Sequence, residues 1–219
     1  MPCTLYYLPE GPPSRAVILL IKYLELNDIQ LKVCSPITGD TSDPEFVKMN
    51  PQKTVPFLDD NGFYLSESRA IMMYLIHSRK PECNLLGRFP KKIGLIQQRM
   101  HFEMGSISGM AALIIRPVLF GETTVPPAAP TEKVYNSLAI VDGFLAKTAF
   151  IADNVVTIAD FCYLAIIASF VHCGMPIEEK FPNIWKWYQK CKNLPGYDMN
   201  EEASMRLGDM FKSKLTEGF

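Results

Sequence analysis

The stretch Thr54-Val55-Pro56-Phe57-Leu58-Asp59-Asp60-Asn61-Gly62-Phe63-Tyr64-Leu65-Ser66-Glu67-Ser68-Arg69 predicts a strand, a tight turn, a second strand and the start of a helix. Residues 55–58 are apolar, and residues 60–62 indicate a turn because Asn and Gly adopt positive φ at low cost. Residues 63–65 form the returning strand, and residues 66–69 begin an apolar helix. A helix start presents unpaired N–H groups and the positive end of the dipole, so it suits an anion such as a carboxylate.

Pro56 stands at the head of the first of these strands, where it does not need to donate a ladder hydrogen bond. A cis bond before it would leave the Val55 backbone facing a ligand. The stretch therefore predicts a site for a small molecule that carries a carboxylate and a peptide-like backbone.

The composition fits a folded chain without a nucleic-acid or membrane bias. The 219 residues are enough for one large or two small domains, and 48% of them are hydrophobic, so a sizeable core is expected. The formal net charge of −1 gives no electrostatic reason to expect nucleic acid or an anionic membrane as partner.

The chain carries no recognisable targeting or metal signature. No basic region followed by a long apolar run opens the sequence, and the longest apolar runs, at 111–115 and 163–171, are too short or interrupted to span a bilayer. The six cysteines are scattered without a C-x-x-C pair, which indicates reduced thiols and a cytoplasmic location. The three histidines lie far apart in sequence, so no metal site is expected.

The first 80 residues have the order β-α-β-α-β-β-α. A parallel βαβ unit followed by a hairpin and a helix, with proline at the start of the third strand, is the thioredoxin-like arrangement. The predicted strands are 4–8, 29–34, 55–58 and 63–65. The first predicted helix begins after the loop at 9–13, and two further helices cover 44–49 and 68–78.

A turn-rich connector at 80–87 separates this pattern from one that is entirely helical. The sequence therefore predicts an α/β thioredoxin-like domain at 1–80 and an all-α domain at 88–219. Thr157 and Asp160 form a capping box before a helix that is apolar nearly all round. The predicted helices are 91–118 with a bend or end at Pro117, then 131–147, 158–171, 182–191 and 201–214.

The whole chain resembles the cytosolic glutathione transferases, and its motifs resemble those of the insect delta and epsilon classes. The motifs that carry the resemblance are Pro12-Pro13-Ser14-Arg15-Ala16-Val17, Asn50-Pro51-Gln52-Lys53-Thr54-Val55-Pro56, Glu67-Ser68-Arg69-Ala70-Ile71, His101-Phe102-Glu103 and Thr157-Ile158-Ala159-Asp160-Phe161.

The resemblance implies a site for glutathione as co-substrate, without a metal. The backbone of Val55 would pair with the cysteinyl backbone, and Glu67 and Ser68 would bind the γ-glutamyl group. Simple helix capping is the alternative for Glu67 and Ser68, although the flanking motifs favour the ligand site. A lone residue such as Lys53 is more often only a solvated lysine. The glutathione-binding residues implied are Gln52, Lys53, Thr54, Val55, Pro56, Glu67, Ser68 and Arg69.

The sequence departs from these classes where the thiol is activated. Gly11 aligns with the serine whose hydroxyl favours the thiolate, and Thr41 and Lys53 stand at positions that usually carry histidine. Ser14 or Tyr7 would be the substitute catalytic donor, although each is also typical of a capping or core residue. The N–H groups at the start of the following helix are a further possibility.

The resemblance also implies an apolar cleft for a second substrate, although each candidate residue taken alone also fits a core. The candidates are Leu8, Gly11, Ile37, Met110, Ile114, Leu119, Phe120, Leu207, Met210 and Phe211.

Two functions follow from these implications. The first is a detoxifying transferase that conjugates glutathione to apolar xenobiotic electrophiles, with weak or atypical activity because of Gly11. The second is a ligandin that binds haem or other large hydrophobic molecules with little turnover. Either form is expected to be a cytoplasmic homodimer, with Arg69, His101 and Met104 near the two-fold seam.

Overall fold

The computed structural model describes residues 3–219, and the chain divides into two compact units between Cys83 and Asn84. The first unit holds a four-stranded sheet in the order β2-β1-β3-β4. Strand β1 pairs parallel with β2 and antiparallel with β3, and β3 pairs antiparallel with β4. The thioredoxin-like prediction is therefore confirmed. The elements are β1 (Cys3–Tyr7), α1 (Pro12–Tyr23), β2 (Ile29–Val33), α2 (Pro44–Met49), β3 (Phe57–Asp60), β4 (Phe63–Ser66) and α3 (Ser68–Arg79).

The two faces of the sheet are covered differently because side chains alternate along each strand. Tyr6 and Phe57 are cross-strand partners, and both rings pack against Phe46 of α2, at centroid distances of 5.6 and 5.4 Å. Leu5 and Leu58 are the neighbouring partners, point to the opposite face and are fully buried. Both faces of the central strands therefore lie in the core.

Strand β3 begins two residues later than predicted and includes Asp59 and Asp60. Asp60 is buried, and its Oδ2 accepts hydrogen bonds from the Tyr74 hydroxyl and from Arg79 Nη2, both at 2.7 Å. Burial opposes the charged form, but these two donors outweigh it and lower the pKa of Asp60. A carboxylate with hydrogen-bond partners can occupy the last position of a buried strand. Without such partners its burial would be too costly at that position.

The second unit is entirely helical among its described residues, as predicted. Its elements are α4 (Pro90–Glu103), a π-helical turn (Met104–Ser108), α5 (Gly109–Leu119), α6 (Ala128–Leu145), α7 (Ile158–His172), α8 (Ile177–Lys180), α9 (Pro182–Cys191) and α10 (Tyr197–Lys212).

The π-helical turn interrupts the long helix, which the sequence predicted as continuous up to Pro117. Gly105 lies within the turn and Gly109 follows it, and glycine weakens regular α-helix. Glu103 just before the turn is fully buried, and its Oε1 accepts a short hydrogen bond from the Ser108 hydroxyl. The interruption therefore coincides with a buried polar contact and low helix propensity.

Helix α7 forms the centre of the second unit, with residues 158–170 buried. Its capping box is present as predicted, since Asp160 accepts hydrogen bonds from both the N–H and the hydroxyl of Thr157, at 2.8 and 2.9 Å. Asp160 also accepts from the N–H of Ile151 and from Trp187 Nε1, at 2.9 Å each. Burial raises the pKa of Asp160, and these four donors oppose the rise. One carboxylate thus joins α7, α9 and the segment before α7.

The helical stretch Pro90–Leu119 is, at 30 residues, long and apolar enough to cross a membrane by length and composition alone. The sequence alone indicated no spanning segment, because its longest uninterrupted apolar runs are too short to cross a bilayer. A single such helix is weak evidence for a membrane protein, since core helices of soluble proteins pass the same criterion. Within its own unit, this rod contacts α6 and α7.

Candidate functional site

The segment after α2 is held by one buried side chain. Asn50 is 3% exposed, its Nδ2 donates to the Thr54 carbonyl at 2.8 Å and its Oδ1 accepts from the Gln52 N–H at 3.2 Å. Its own carbonyl accepts from the Lys53 N–H at 3.1 Å. Gln52, Lys53 and Thr54 are themselves exposed, and Lys53 has a left-handed φ of 55°. The segment is therefore a shaped rim whose side chains face solvent.

Val55 follows this rim and presents its backbone. The Val55–Pro56 peptide bond is cis, the case that the sequence analysis considered. Val55 is half-buried and its side chain packs against a small core of Cys34, Phe46 and Phe57. Within residues 3–219 its backbone N–H and carbonyl make no hydrogen bond. A half-buried backbone without partners is a ready acceptor and donor for an extended peptide.

The start of α3 lies beside this backbone, because Ser66 is the ladder partner of Phe57. Glu67 precedes the helix with φ 69° and ψ 109°, a strained backbone for a residue with a Cβ. Its side chain is exposed and accepts no hydrogen bond from the first N–H groups of the helix. The simple-capping interpretation of Glu67 is therefore wrong, and its carboxylate faces outward above a positive helix end.

Ser68 and Arg69 complete this corner. Ser68 is buried to 3% exposure, and Arg69 Nη1 donates to its Oγ at 3.0 Å. A donor fixed on the hydroxyl oxygen directs the Ser68 hydroxyl proton elsewhere. The corner can thus offer a cation, a hydroxyl and a carboxylate within three consecutive residues.

The loop after β1 lacks the side chain that the resemblance places there. Gly11 is the N-cap residue of α1, and its N–H donates to the Leu8 carbonyl at 3.1 Å. A Cβ at this position would lie 3.3 Å from the same carbonyl oxygen, so a side chain requires a shift of a few tenths of an ångström. A side chain at position 11 is therefore tightly packed but sterically allowed.

The two predicted substitutes for the missing hydroxyl differ in accessibility. Ser14 is 1% exposed, and its Oγ accepts from the Leu8 N–H at 3.2 Å, so it fixes the loop from within. Tyr7 ends β1 and is half-buried, and its hydroxyl has no hydrogen-bond partner in the part of the chain that the structure describes. Thr41, which replaces a usual histidine, is also buried, with 3% of its surface exposed.

The predicted apolar lining divides by burial. Ile114, Leu207 and Phe211 have at most 4% of their surface exposed and offer none to a ligand in this arrangement. Ile37, Phe120 and Met210 are exposed, whereas Leu8, Gly11, Met110 and Leu119 are half-buried. Sequence reasoning did not include Leu113, which is 54% exposed.

Leu113 shares one face of α5 with Met110 and Phe120, at spacings of three and seven residues. This helical periodicity is the sequence signal by which Leu113 could have been found. The face is largely apolar, with the exposed Arg116 at its edge one turn after Leu113. Elsewhere in residues 3–219, no group of three His, Cys, Asp or Glu side chains is placed to hold a metal ion.

Comparisons with known proteins agree with these features. Residues 5–82 match the family model for the glutathione S-transferase N-terminal domain, and residues 125–195 match the model for its C-terminal domain. The chain is 35% identical over 217 residues to glutathione S-transferase D7 of Drosophila melanogaster, which covers 96% of this chain and 93% of that protein.

Two solved structures have the same fold over nearly the full length. A delta-class glutathione transferase of Nilaparvata lugens is 38% identical with a TM-score of 0.90, covering 97% of this chain and 100% of that one. A glutathione transferase homologue of Drosophila mojavensis, solved with bound glutathione, is 28% identical with a TM-score of 0.91, covering 98% of each chain.

The strained backbone at Glu67 makes a testable prediction. Glu67→Gly should leave the free energy of unfolding unchanged or raise it by up to about 1 kcal/mol, because relief of the positive φ offsets the entropy that glycine loses on folding. Urea unfolding measures this change. The control is Glu45→Gly in α2, also exposed but helical, which should lose about 0.5–1 kcal/mol. An equal loss in both variants would contradict the interpretation that Glu67 is strained.

Proposed function

Because the chain belongs to the glutathione S-transferase family, we propose that it binds glutathione and conjugates it to apolar electrophiles in detoxification. The observation that carries this proposal is the unpartnered Val55 backbone beside the outward-facing Glu67 at the start of α3. Together they match a tripeptide that has an extended backbone with charged groups at one end.

Each part of glutathione has a chemically suitable counterpart. The γ-glutamyl ammonium pairs with the Glu67 carboxylate, and its carboxylate accepts from the Ser68 hydroxyl and the α3 N–H groups. Arg69 supports Ser68 through its 3.0 Å hydrogen bond. The cysteinyl backbone exchanges hydrogen bonds with Val55.

The glycyl end of glutathione lies along the rim after α2 in this proposal. Its carboxylate meets the Lys53 ammonium, with Gln52 and Thr54 beside it and Pro56 fixing the turn. Lysine is a point charge on a flexible stem, so this end is held less rigidly than by a planar ring.

Conjugation requires the thiolate, because its sulfur supplies the electron pair of the new carbon–sulfur bond. In an aryl halide the carbon–halogen bond breaks and halide leaves with its electrons, while the thiol proton passes to solvent. A hydrogen-bond donor near the sulfur stabilises the thiolate and lowers its pKa. We assign this donor to the Tyr7 hydroxyl, because it is half-buried and without a partner in the described residues. Ser14 instead holds the Leu8 N–H and acts on the loop that carries Gly11.

The second substrate is an apolar molecule that contacts the exposed face of α5. Met110, Leu113 and Phe120 form this face, and Met210 in the same unit is a further exposed apolar candidate. Methionine side chains adapt to differently shaped ligands, which suits a broad range of electrophiles.

A ligandin function is the second candidate, and Gly11 favours it. Without a side chain at this position the thiol lacks one donor, and removing such a donor typically costs about 10²–10³ in rate. The apolar α5 face would then bind haem or other large hydrophobic molecules with little turnover.

The protein is proposed to be a homodimer in the cytoplasm. Helix α4 and the turn after it expose Phe89, Ile93, His101 and Met104, a largely apolar stripe to which a second copy can bind. All six cysteines are free and five are buried, as suits a reducing compartment. Burial raises the pKa of Cys3 to about 11 and keeps it a thiol.

A conjugation assay with an aryl halide tests the enzyme against the ligandin. Gly11→Ser should raise kcat/KM by at least about tenfold because it restores a donor, whereas the control Gly11→Ala adds only the Cβ and should not. Undetectable conjugation by the natural chain and by Gly11→Ser, together with tight binding of a hydrophobic dye, would leave the ligandin as the function.

The thiol donor is tested by the thiolate absorbance of bound glutathione as a function of pH. Tyr7→Phe should raise the thiol pKa by at least about 1, because a hydrogen bond to a charged group contributes roughly 1.5–3 kcal/mol. The control Tyr6→Phe alters a ring packed in the aromatic core and should not. Ser14→Ala should lower stability by about 1 kcal/mol and leave the thiol pKa unchanged. A raised pKa in Ser14→Ala alone would reverse the assignment.

The dimer is tested by sedimentation velocity at micromolar concentration. Ile93→Arg places a charge on the α4 stripe and should shift the protein toward monomer. Ile140→Arg on α6, where the side chain is similarly exposed, should leave the dimer intact. A monomeric natural chain, or equal effects of the two substitutions, would overturn this part of the proposal.

A further inference from the structure

We propose that Asn50 is a positioning residue for glutathione, because its side-chain amide fixes the orientation of the peptide group between Thr54 and Val55. The proposal rests on the glutathione binding described above and names the residue that prepares the site for it.

Asn50 is polar, almost fully buried and engaged at both ends of its amide. Its Nδ2 donates to the Thr54 carbonyl at 2.8 Å, and its Oδ1 accepts from the Gln52 N–H at 3.2 Å. Only this orientation of the amide satisfies both partners, since a carbonyl cannot donate and an N–H cannot accept. Asn50 is itself anchored, because its N–H donates to the Phe46 carbonyl in α2 at 2.8 Å.

The Thr54 carbonyl and the Val55 N–H belong to one peptide group. This group is planar and trans, so its carbonyl and N–H point in opposite directions. A hydrogen bond that holds the carbonyl toward Asn50 therefore holds the N–H away from it. The Val55 N–H is the donor that has no partner within residues 3–219.

The same side of the loop carries a strained residue that needs support. Lys53 adopts φ 55°, which is uncommon for a residue with a Cβ, and its N–H is bonded to the Asn50 carbonyl. Three consecutive residues of the rim thus depend on one asparagine. The contacts with Gln52 and Thr54 use the Asn50 side chain, so without that side chain the peptide group at 54–55 is free to rotate, whereas the Lys53 N–H keeps its backbone acceptor.

The contact also acts on the strength of the donor. A hydrogen bond accepted by a peptide carbonyl polarises the group and strengthens its N–H as a donor. Asn50 therefore sets the direction of the Val55 N–H and strengthens it as a donor. Its own contact is with the Thr54 carbonyl and not with the ligand.

The key variant is Asn50→Asp, which keeps the shape but replaces the donor to Thr54 by an oxygen that repels its carbonyl. At pH 7.5 the dissociation constant for glutathione, measured by calorimetry, should rise about tenfold relative to the natural chain, whereas KM for the electrophile should change less than about twofold. Burial and the facing Thr54 carbonyl raise the pKa of an aspartic acid at this position above its usual value, so lowering the pH toward about 5 restores a proton to donate, and the affinity relative to the natural chain should recover.

A purely structural role predicts a different result. The control is Ile76→Val, a truncation in the core at the end of α3, which should lower the melting temperature without changing glutathione affinity. If Asn50→Asp or Asn50→Ala lowers the melting temperature and binds glutathione as the natural chain does, the positioning role is wrong.

A further test uses the natural chain and needs no variant. In ¹⁵N-labelled protein, added glutathione should shift the Val55 amide proton resonance downfield as its N–H gains an acceptor. If other site residues shift and Val55 does not, the positioning role is overturned while glutathione binding stands. If no resonance shifts at millimolar glutathione, the proposed function itself fails.

Discussion

The constraint on which the first unit depends is the position of β3 in the sheet. This strand pairs on both sides and is buried on both faces, so the chain must enter and leave the hairpin by sharp turns. Both turns use a non-glycine residue with left-handed φ, Lys53 before β3 and Glu67 after β4. Strain of this kind persists only where surrounding contacts over-determine it. Asn50 supplies these contacts at the first turn, and the α3 hydrogen bonds supply them at the second.

In the function proposed above, glutathione binding and thiol activation have separate physical origins. Binding depends mainly on backbone groups and helix geometry, which the fold positions whatever the neighbouring side chains are. Activation depends on one side-chain donor beside the sulfur, and Gly11 has none. The chain can therefore retain a tripeptide site while the reactivity of the thiol is set by whichever hydroxyl remains accessible, and Tyr7 is more accessible than Ser14.

A single buried carboxylate organises the second unit. Asp160 joins three segments through four donors, because a buried acceptor must be satisfied wherever the chain can reach it. The capping-box spacing predicted its contacts with Thr157. Its contact with Trp187 crosses 27 residues and has no local signal.

The sequence by itself determined the strand and helix order, the proline before β3, the helix start at Ser68 and the capping box, because these follow from local spacing, turn chemistry and periodicity. Only the tertiary structure decided which predicted residues are accessible. Ser14 and Phe211 are buried and Leu113 is exposed, since burial depends on which distant elements pack against a residue. The interruption at 104–108 and the orientation of the Val55 peptide depend on particular side-chain contacts, Ser108 to Glu103 and Asn50 to Thr54, that the periodicity of helices and strands does not specify.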